Sequence, residues 1–363
     1  MARPPMPGAS GHSEVVRIVI ATVQIPFVTG GAESHAAGLK AALIREGHTA
    51  EIVNVPFNPA VPERIADQML ACRLLDLTEI HGTRVDRLIG LKFPAYLIPH
   101  PNKVVWVLHQ HRAAYDLWDY PFEELSASPR GVMVREAIRR GDQLLAEANA
   151  VFANSKNIAN RLGHFCGINA TPLYHPPPHA DDFFCADRAG DYFFFPSRLS
   201  ASKRQSLVLE ALALTREKVK VRFAGIADNG EYGKRLKQLA AKLGVDAWVE
   251  WLGQINEEEK RENYSRAIAV IFPPVDEDYG YITLEAMLSS KAVVTCDDSG
   301  GPLEFVSPRK TGLVTKPTAA ALAEALDELW QDRTLAAKFG RAGRESYQRL
   351  DLSWTEVVKK LLA

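Results

Sequence analysis

The apolar positions of this chain follow two rhythms. Short β-branched apolar runs occur at residues 15–23 (VVRIVIATV), 48–55 (HTAEIVNV), 103–108 (KVVWVL) and 148–155 (ANAVFANS). Between them lie stretches of helical spacing at 32–45, 61–79, 130–147 and 156–167, while 83–99 reads as strand and helix pieces. Continuous apolar runs of this length predict strands buried on both faces of a parallel sheet. The alternation stops at 171–184, where Pro176, Pro177 and Pro178 can continue neither a helix nor a central strand. It then restarts, with strands expected at 192–199, 219–226, 249–255, 267–274, 291–298 and 312–315. Helices are expected at 205–214, 232–244, 257–267, 282–290, 318–345 and 353–363.

Strand and helix in regular alternation predict an α/β fold with doubly wound sheets. Two such series predict two Rossmann-like domains facing across a cleft, with ligands bound at the carboxyl ends of the strands. The expected division is a disordered tail at 1–14, a first domain at 15–178 with 346–363, a linker at 179–190 and a second domain at 191–345.

Composition narrows the function. The 363 residues are 47% hydrophobic and 24% charged with a net charge of −1, so nucleic acid is not an expected partner. Cys72, Cys166, Cys185 and Cys296 form no C-x-x-C pair, which argues against a zinc or redox motif and fits a cytoplasmic protein. No apolar run approaches a membrane span, and the Pro/Gly-rich start has no signal-peptide core, so any membrane contact is expected to be peripheral.

The most specific segment is PPVDEDYGYITLEAMLSS, residues 273–290. Glu277 and Glu285 stand eight positions apart across a predicted loop-to-helix turn. Gly280 lets backbone amides come close to a ligand, and a helix N-terminus favours phosphate. Two hydroxyl-binding carboxylates flanking an anion site suit a nucleotide sugar. Gly30 and Gly31 (TGGAE) occupy a similar strand-to-helix turn, but they do not form a G-x-G-x-x-G fingerprint, which weakens a dinucleotide reading.

The run E-D-Y-G-Y-I-T-L-E-A-M resembles the E-x7-E motif of the GT4 family of retaining glycosyltransferases, which have the GT-B fold. Asp278 departs from it, standing where the family usually has glycine and adding a charge near the expected hexose site. By this resemblance Glu277 orients the hexose and Glu285 the ribose, with Tyr279, Gly280, Tyr281 and Ile282 also at the donor. Arg198 and Lys203 (SRLSASK) resemble the family's diphosphate-binding cations, a role that suits a guanidinium fork and an ammonium point charge. Gly30 and Gly31 resemble the family's opening GG-x-E segment. His109 matches a cleft histidine, favoured over His111 because it ends its strand. Gly225 and Gly253 fall where family loops border the nucleotide, and Glu304 resembles a glutamate that follows the family's GG.

The resemblance implies a metal-independent, retaining hexosyl transfer with Glu277, His109, Arg198 and Lys203 as the catalytic set. UDP or GDP would carry the donor sugar, and no cofactor is expected. The acceptor would be a sugar, a lipid-linked sugar or a small molecule, in cell-surface polysaccharide or glycoconjugate synthesis. Asp276 and Asp278 also spell D-x-D, but a metal motif of that kind belongs to a different, single-domain architecture. A GT-B nucleotide-sugar 2-epimerase and a catalytically silent nucleotide-sugar-binding protein are the alternatives.

Overall fold

The computed structural model describes residues 15–26, 30–120, 125–227 and 230–363. The tail expected at 1–14 and part of the loop before Gly30 lie outside them. The first sheet contains β1 (Arg17–Gln24), β2 (Thr49–Pro56), β5 (Arg87–Lys92), β6 (Lys103–His109), β7 (Ala150–Ala153) and β8 (Thr171–Pro172). It is parallel throughout, in the order β2-β1-β5-β6-β7-β8, and a small hairpin, β3 (Glu79–Ile80) with β4 (Thr83–Arg84), stands outside it. The second sheet contains β9 (Phe193–Pro196), β10 (Val221–Ala224), β11 (Val249–Gly253), β12 (Ala269–Ile271), β13 (Ala292–Cys296) and β14 (Gly312–Thr315). It too is parallel, in the order β11-β10-β9-β12-β13-β14. The fold is therefore the expected pair of Rossmann-like sheets.

Each sheet is buried on both faces, as continuous apolar runs require. Along β1, Val19, Ala21 and Val23 enter one core while Ile18 and Ile20 enter the other. The final helix, Trp354–Leu362, packs on the first sheet: Val357, Val358 and Leu361 join Ile18, Leu39 and Trp106. Arg87 Nη1 donates to the Leu361 carbonyl at 2.6 Å. The preceding helix, Arg333–Leu350, stays with the second sheet, and Gly340 passes so close to Ser290 that a Cβ would lie 1.9 Å from its carbonyl oxygen.

Three local readings differ from expectation. The stretch 61–79 is not one helix. A 3-10 turn at Pro62–Arg64 leads into the helix Ile65–Leu74, and Asp76 Oδ1 then accepts from the Thr78 amide and hydroxyl, turning the chain toward the hairpin. The expected helix at 318–345 is two helices, Ala319–Gln331 and Arg333–Leu350, because Asp332 caps the second by accepting from the Leu335 amide. Thr171 and Pro172 add a short edge strand before the proline run, an allowed place for proline.

The two units meet over a buried aromatic knot. His35 on the helix Gly31–Arg45 places Nδ1 2.9 Å from His175 Nε2, and the His175 ring stacks on Tyr279 of the second unit with centroids 4.6 Å apart. Trp106 packs edge-on to His175 and Trp354 edge-on to His35. Burial pushes His35 down to about 3, and burial with the adjacent His35 holds His175 well below its ordinary value.

Leu361→Ala opens a cavity under a fully buried side chain. It is expected to lower stability by about 2–5 kcal/mol, read as a fall in urea midpoint, with Lys359→Ala near neutral. The buried histidines set a pH dependence. The unfolded chain binds their protons near 6.5, but the folded protein resists them until far lower pH, so stability is complete above about 6.5 and is lost as pH falls. Each such histidine contributes up to about 1.4 kcal/mol per pH unit within that window. Urea midpoints measured from pH 7 to pH 4.5 should fall steadily, whereas a flat profile would contradict neutral burial.

Candidate functional site

Strand order locates the site. The first sheet grows from β1 to β2 on one side and then to β5 on the other; the second grows from β9 to β10 and β11, then to β12 on the opposite side. Loops leaving the strands at such reversals diverge and open a crevice. Here the two crevices face one cavity of about 520 Å³. Gly30 and Gly31 line it after β1, Lys92 at the end of β5, and His109 to Ala113 at and beyond the end of β6. From the second unit come Arg198, Ser202 and Lys203 after β9, and Glu277 to Tyr281 after β12.

The cavity includes most of the expected residues but not all. Glu277 forms an ion pair with Lys203, and its amide donates to the Ser299 carbonyl at 2.9 Å, so both side chain and backbone are fixed. Gly280, with φ of +83°, caps the helix Tyr281–Leu288, a conformation that favours glycine. Glu285 is not among the lining residues. It is buried on that helix, where it accepts from Tyr264 Oη at 2.7 Å and from Lys260 Nζ at 3.1 Å. Gly225, Gly253 and Ile282 also lie outside the cavity wall. Gly225 packs against Ser197, its added Cβ falling 2.2 Å from that carbonyl oxygen, and donates its N–H to the Gly253 carbonyl at 2.7 Å.

The glycine turn and the histidines have local duties as well. The Gly30 N–H donates to Glu33 Oε2 at 2.7 Å, so this amide already serves a carboxylate. Gly31 leaves room for Tyr281, whose ring would lie 3.4 Å from an added Cβ. His109 Nδ1 lies 2.7 Å from the Gln110 carbonyl, which assigns the proton to Nδ1. Burial, followed by the charge of Lys92, pushes His109 down to about 4. His111, also near 4 through burial, packs edge-on to Phe57 and Phe93.

Asp278 is not a loose charge beside the cavity. Arg161 Nη1 holds it at 2.6 Å, and Arg112 Nε lies 4.0 Å away. Burial alone would raise its pKa, but the two guanidinium groups keep it below the ordinary carboxylate value. Asp276 joins the same cluster, 3.0 Å from Arg161, and Asn157 Nδ2 donates to it at 2.6 Å. The D-x-D carboxylates are thus turned to arginines of the first unit, and no group of three or more His, Cys, Asp or Glu side chains among the described residues is placed to hold a metal. Glu304 accepts from the amides of Lys156 and Asn157 at 3.0 and 2.8 Å, capping a helix of the other unit. Gly300 permits the contact between Asn157 and Asp276, since a Cβ there would lie 2.5 Å from Asp276 Oδ1 and 2.6 Å from Asn157 Nδ2.

Sequence reading missed Lys92, Arg112, Asn157 and Arg161. Lys92 carried one signal, its place at the end of an apolar strand. The others became visible only when the two units met. The four cysteines are all free, and among the described residues no helix is long and apolar enough to cross a membrane.

Residues 186–346 match the family of glycosyl transferases group 1. Alpha-1,3/1,6-mannosyltransferase ALG2 of Dictyostelium discoideum is 32% identical over 143 residues, 38% of this chain and 34% of that protein. Alpha-maltose-1-phosphate synthase of Mycolicibacterium smegmatis is 30% identical over 210 residues, 54% of each chain. The chain thus aligns with about a third to a half of the length of these relatives. Sucrose-phosphate synthase from Thermosynechococcus elongatus superposes with a TM-score of 0.77 at 18% identity, covering 95% of this chain and 98% of the other. Anabaena HepE in complex with UDP and glucose gives 0.70 at 16% identity, covering 96% and 99%. The chain has the GT-B fold, and its residues 186–346 are similar to glycosyl transferases group 1.

Proposed function

We propose that this protein moves a hexose from a nucleoside diphosphate sugar to an acceptor hydroxyl, with the α configuration retained. The observation that carries the reading is the single cavity at both sheet reversals, in which Lys203 and Glu277 meet beside Arg198 and the glycine turn. Its volume of about 520 Å³ falls within the usual range for small-molecule sites. The relatives named above are transferases or synthases by name, which favours transfer to an acceptor over epimerisation of the donor or silent binding.

In this reading Arg198 and Lys203 hold the diphosphate. As the bond from sugar C1 to the phosphate oxygen breaks, negative charge grows on that oxygen, so fixed cations lower the barrier more than they strengthen ground-state binding. Glu277, already held by Lys203, orients the hexose hydroxyls. The acceptor oxygen forms the new bond to C1 on the face the phosphate leaves, and its proton passes to the departing phosphate oxygen. In this scheme Arg198, with Lys203 shared between Glu277 and the diphosphate, offsets the developing charge without a metal ion. His109, neutral near pH 7, is suited to hydrogen bonding with a sugar hydroxyl. Glu285, paired with Tyr264 and Lys260, would serve the ribose only through an edge of its carboxylate left accessible. UDP and GDP are the first nucleotides to test, with sugars, lipid-linked sugars and small polyols as acceptors.

Saturating UDP or GDP, at about a hundred times its dissociation constant, is expected to stabilise the protein by about 2.7 kcal/mol. Lys203→Ala should lose that stabilisation and lower kcat on the order of 10²–10³-fold. Glu277→Gln should keep the nucleotide shift and lose transfer. Proton NMR of the product anomeric position should show the donor's α configuration. Full transfer by Glu277→Gln, or an inverted product, would overturn the mechanism.

A further inference from the structure

The cavity's charges are unevenly partnered. Lys203 is paired with Glu277, and Arg112 with Asp116 and the aspartates of the second unit. Lys92 is different: no ion pair or hydrogen bond engages its ammonium among the described residues. It is half-buried at the carboxyl end of β5, on the wall built by the first unit. Burial lowers its pKa, Glu33 offsets part of that loss, and the positive charge of Arg198 adds to it. Glu33 is itself engaged by the Gly30 N–H.

The backbone places this lysine deliberately. β5 and β6 run in even register from Leu88 opposite Lys103 to Gly90 opposite Val105. The register then slips, and Lys92 stands opposite His109 where an even ladder would have set Val107. Such irregularities re-aim side chains at sheet ends and near binding sites. Here the slip puts the only strand-end lysine of the described cavity wall next to the neutral His109, a hydrogen-bonding neighbour with no charge to pair it. A half-buried ammonium with no carboxylate within ion-pair distance is costly unless a ligand supplies one.

We propose that Lys92 binds an anionic group, a phosphate or a carboxylate, on the first unit's side of the cavity. Its assignment to an acceptor rests on the transferase reading above, whereas the anion chemistry does not. Two sources carry that chemistry: an acceptor bearing a charged group, and the donor diphosphate. Lys92 comes from the first unit, whereas Arg198 and Lys203 come from the second, which places the acceptor first.

Calorimetric titration of wild type, Lys92→Gln and Lys92→Arg with inorganic phosphate, a hexose 6-phosphate and UDP or GDP separates the cases. Matching melting temperatures without ligand would establish that the variants fold. For an acceptor subsite, Lys92→Gln weakens the hexose phosphate about tenfold or more, leaves the nucleoside diphosphate unchanged, and Lys92→Arg restores part of the loss. A loss confined to the nucleoside diphosphate assigns Lys92 to the donor. Phosphate binding that depends on Lys92 in a protein that binds no nucleotide would retire the transferase reading and keep the anion site. Equal affinities of wild type and Lys92→Gln for all probes, or no binding of any of them, would overturn the proposal.

Discussion

The site depends on the docking of one helix from the first unit against two loops of the second. Lys156–Cys166 begins with amides that Glu304 accepts, continues with Asn157 bonded to Asp276 and the Glu277 carbonyl, and carries Arg161 into the Asp276–Asp278 pair. The carboxylate at a helix start is favoured by the helix dipole as well as by hydrogen bonds. An isolated surface ion pair would contribute little, but these partners are shielded and share a network, so removing one leaves the others uncompensated. Because Glu277 lies inside this contact, the docking that joins the two units also fixes the carboxylate facing the cavity.

Charge is distributed across the cleft in a consistent way. Three carboxylates that would repel a diphosphate are paired with cations before any ligand arrives, Asp276 and Asp278 with arginines and Glu277 with Lys203, while Glu33 accepts from the glycine-turn amide. Neutral histidines occupy the first unit's wall, where burial suppresses their charge. The cavity is thus prepared for an anionic ligand without relying on net charge, which is −1 for the whole chain.

The rhythm of buried strands and amphipathic helices was legible in the sequence, and so were the two parallel sheets, because burial on both faces demands continuous apolar runs. The loop-to-helix turn at Gly280 was legible because only a few residue types tolerate its backbone. Helix borders at Asp76 and Asp332 were missed, since a single side chain bonding back to the chain decides them. Asp278 was read as an added charge at the sugar, when its partners Arg161 and Arg112 lie more than a hundred residues away in the chain.

Sequence alone therefore determined the local chemistry: which segments form strands, where glycine permits a close approach, and which charged residues follow a strand. Tertiary structure decided which of those charges are used up. Only the folded chain shows that Glu285 is bound by Tyr264 and Lys260, that Glu304 caps a helix of the other unit, and that Lys92 has no carboxylate within ion-pair distance among the described residues. The physical reason is range. Backbone preference and apolar periodicity act over a few residues, whereas electrostatic pairing is settled by whatever the fold brings within a few ångströms.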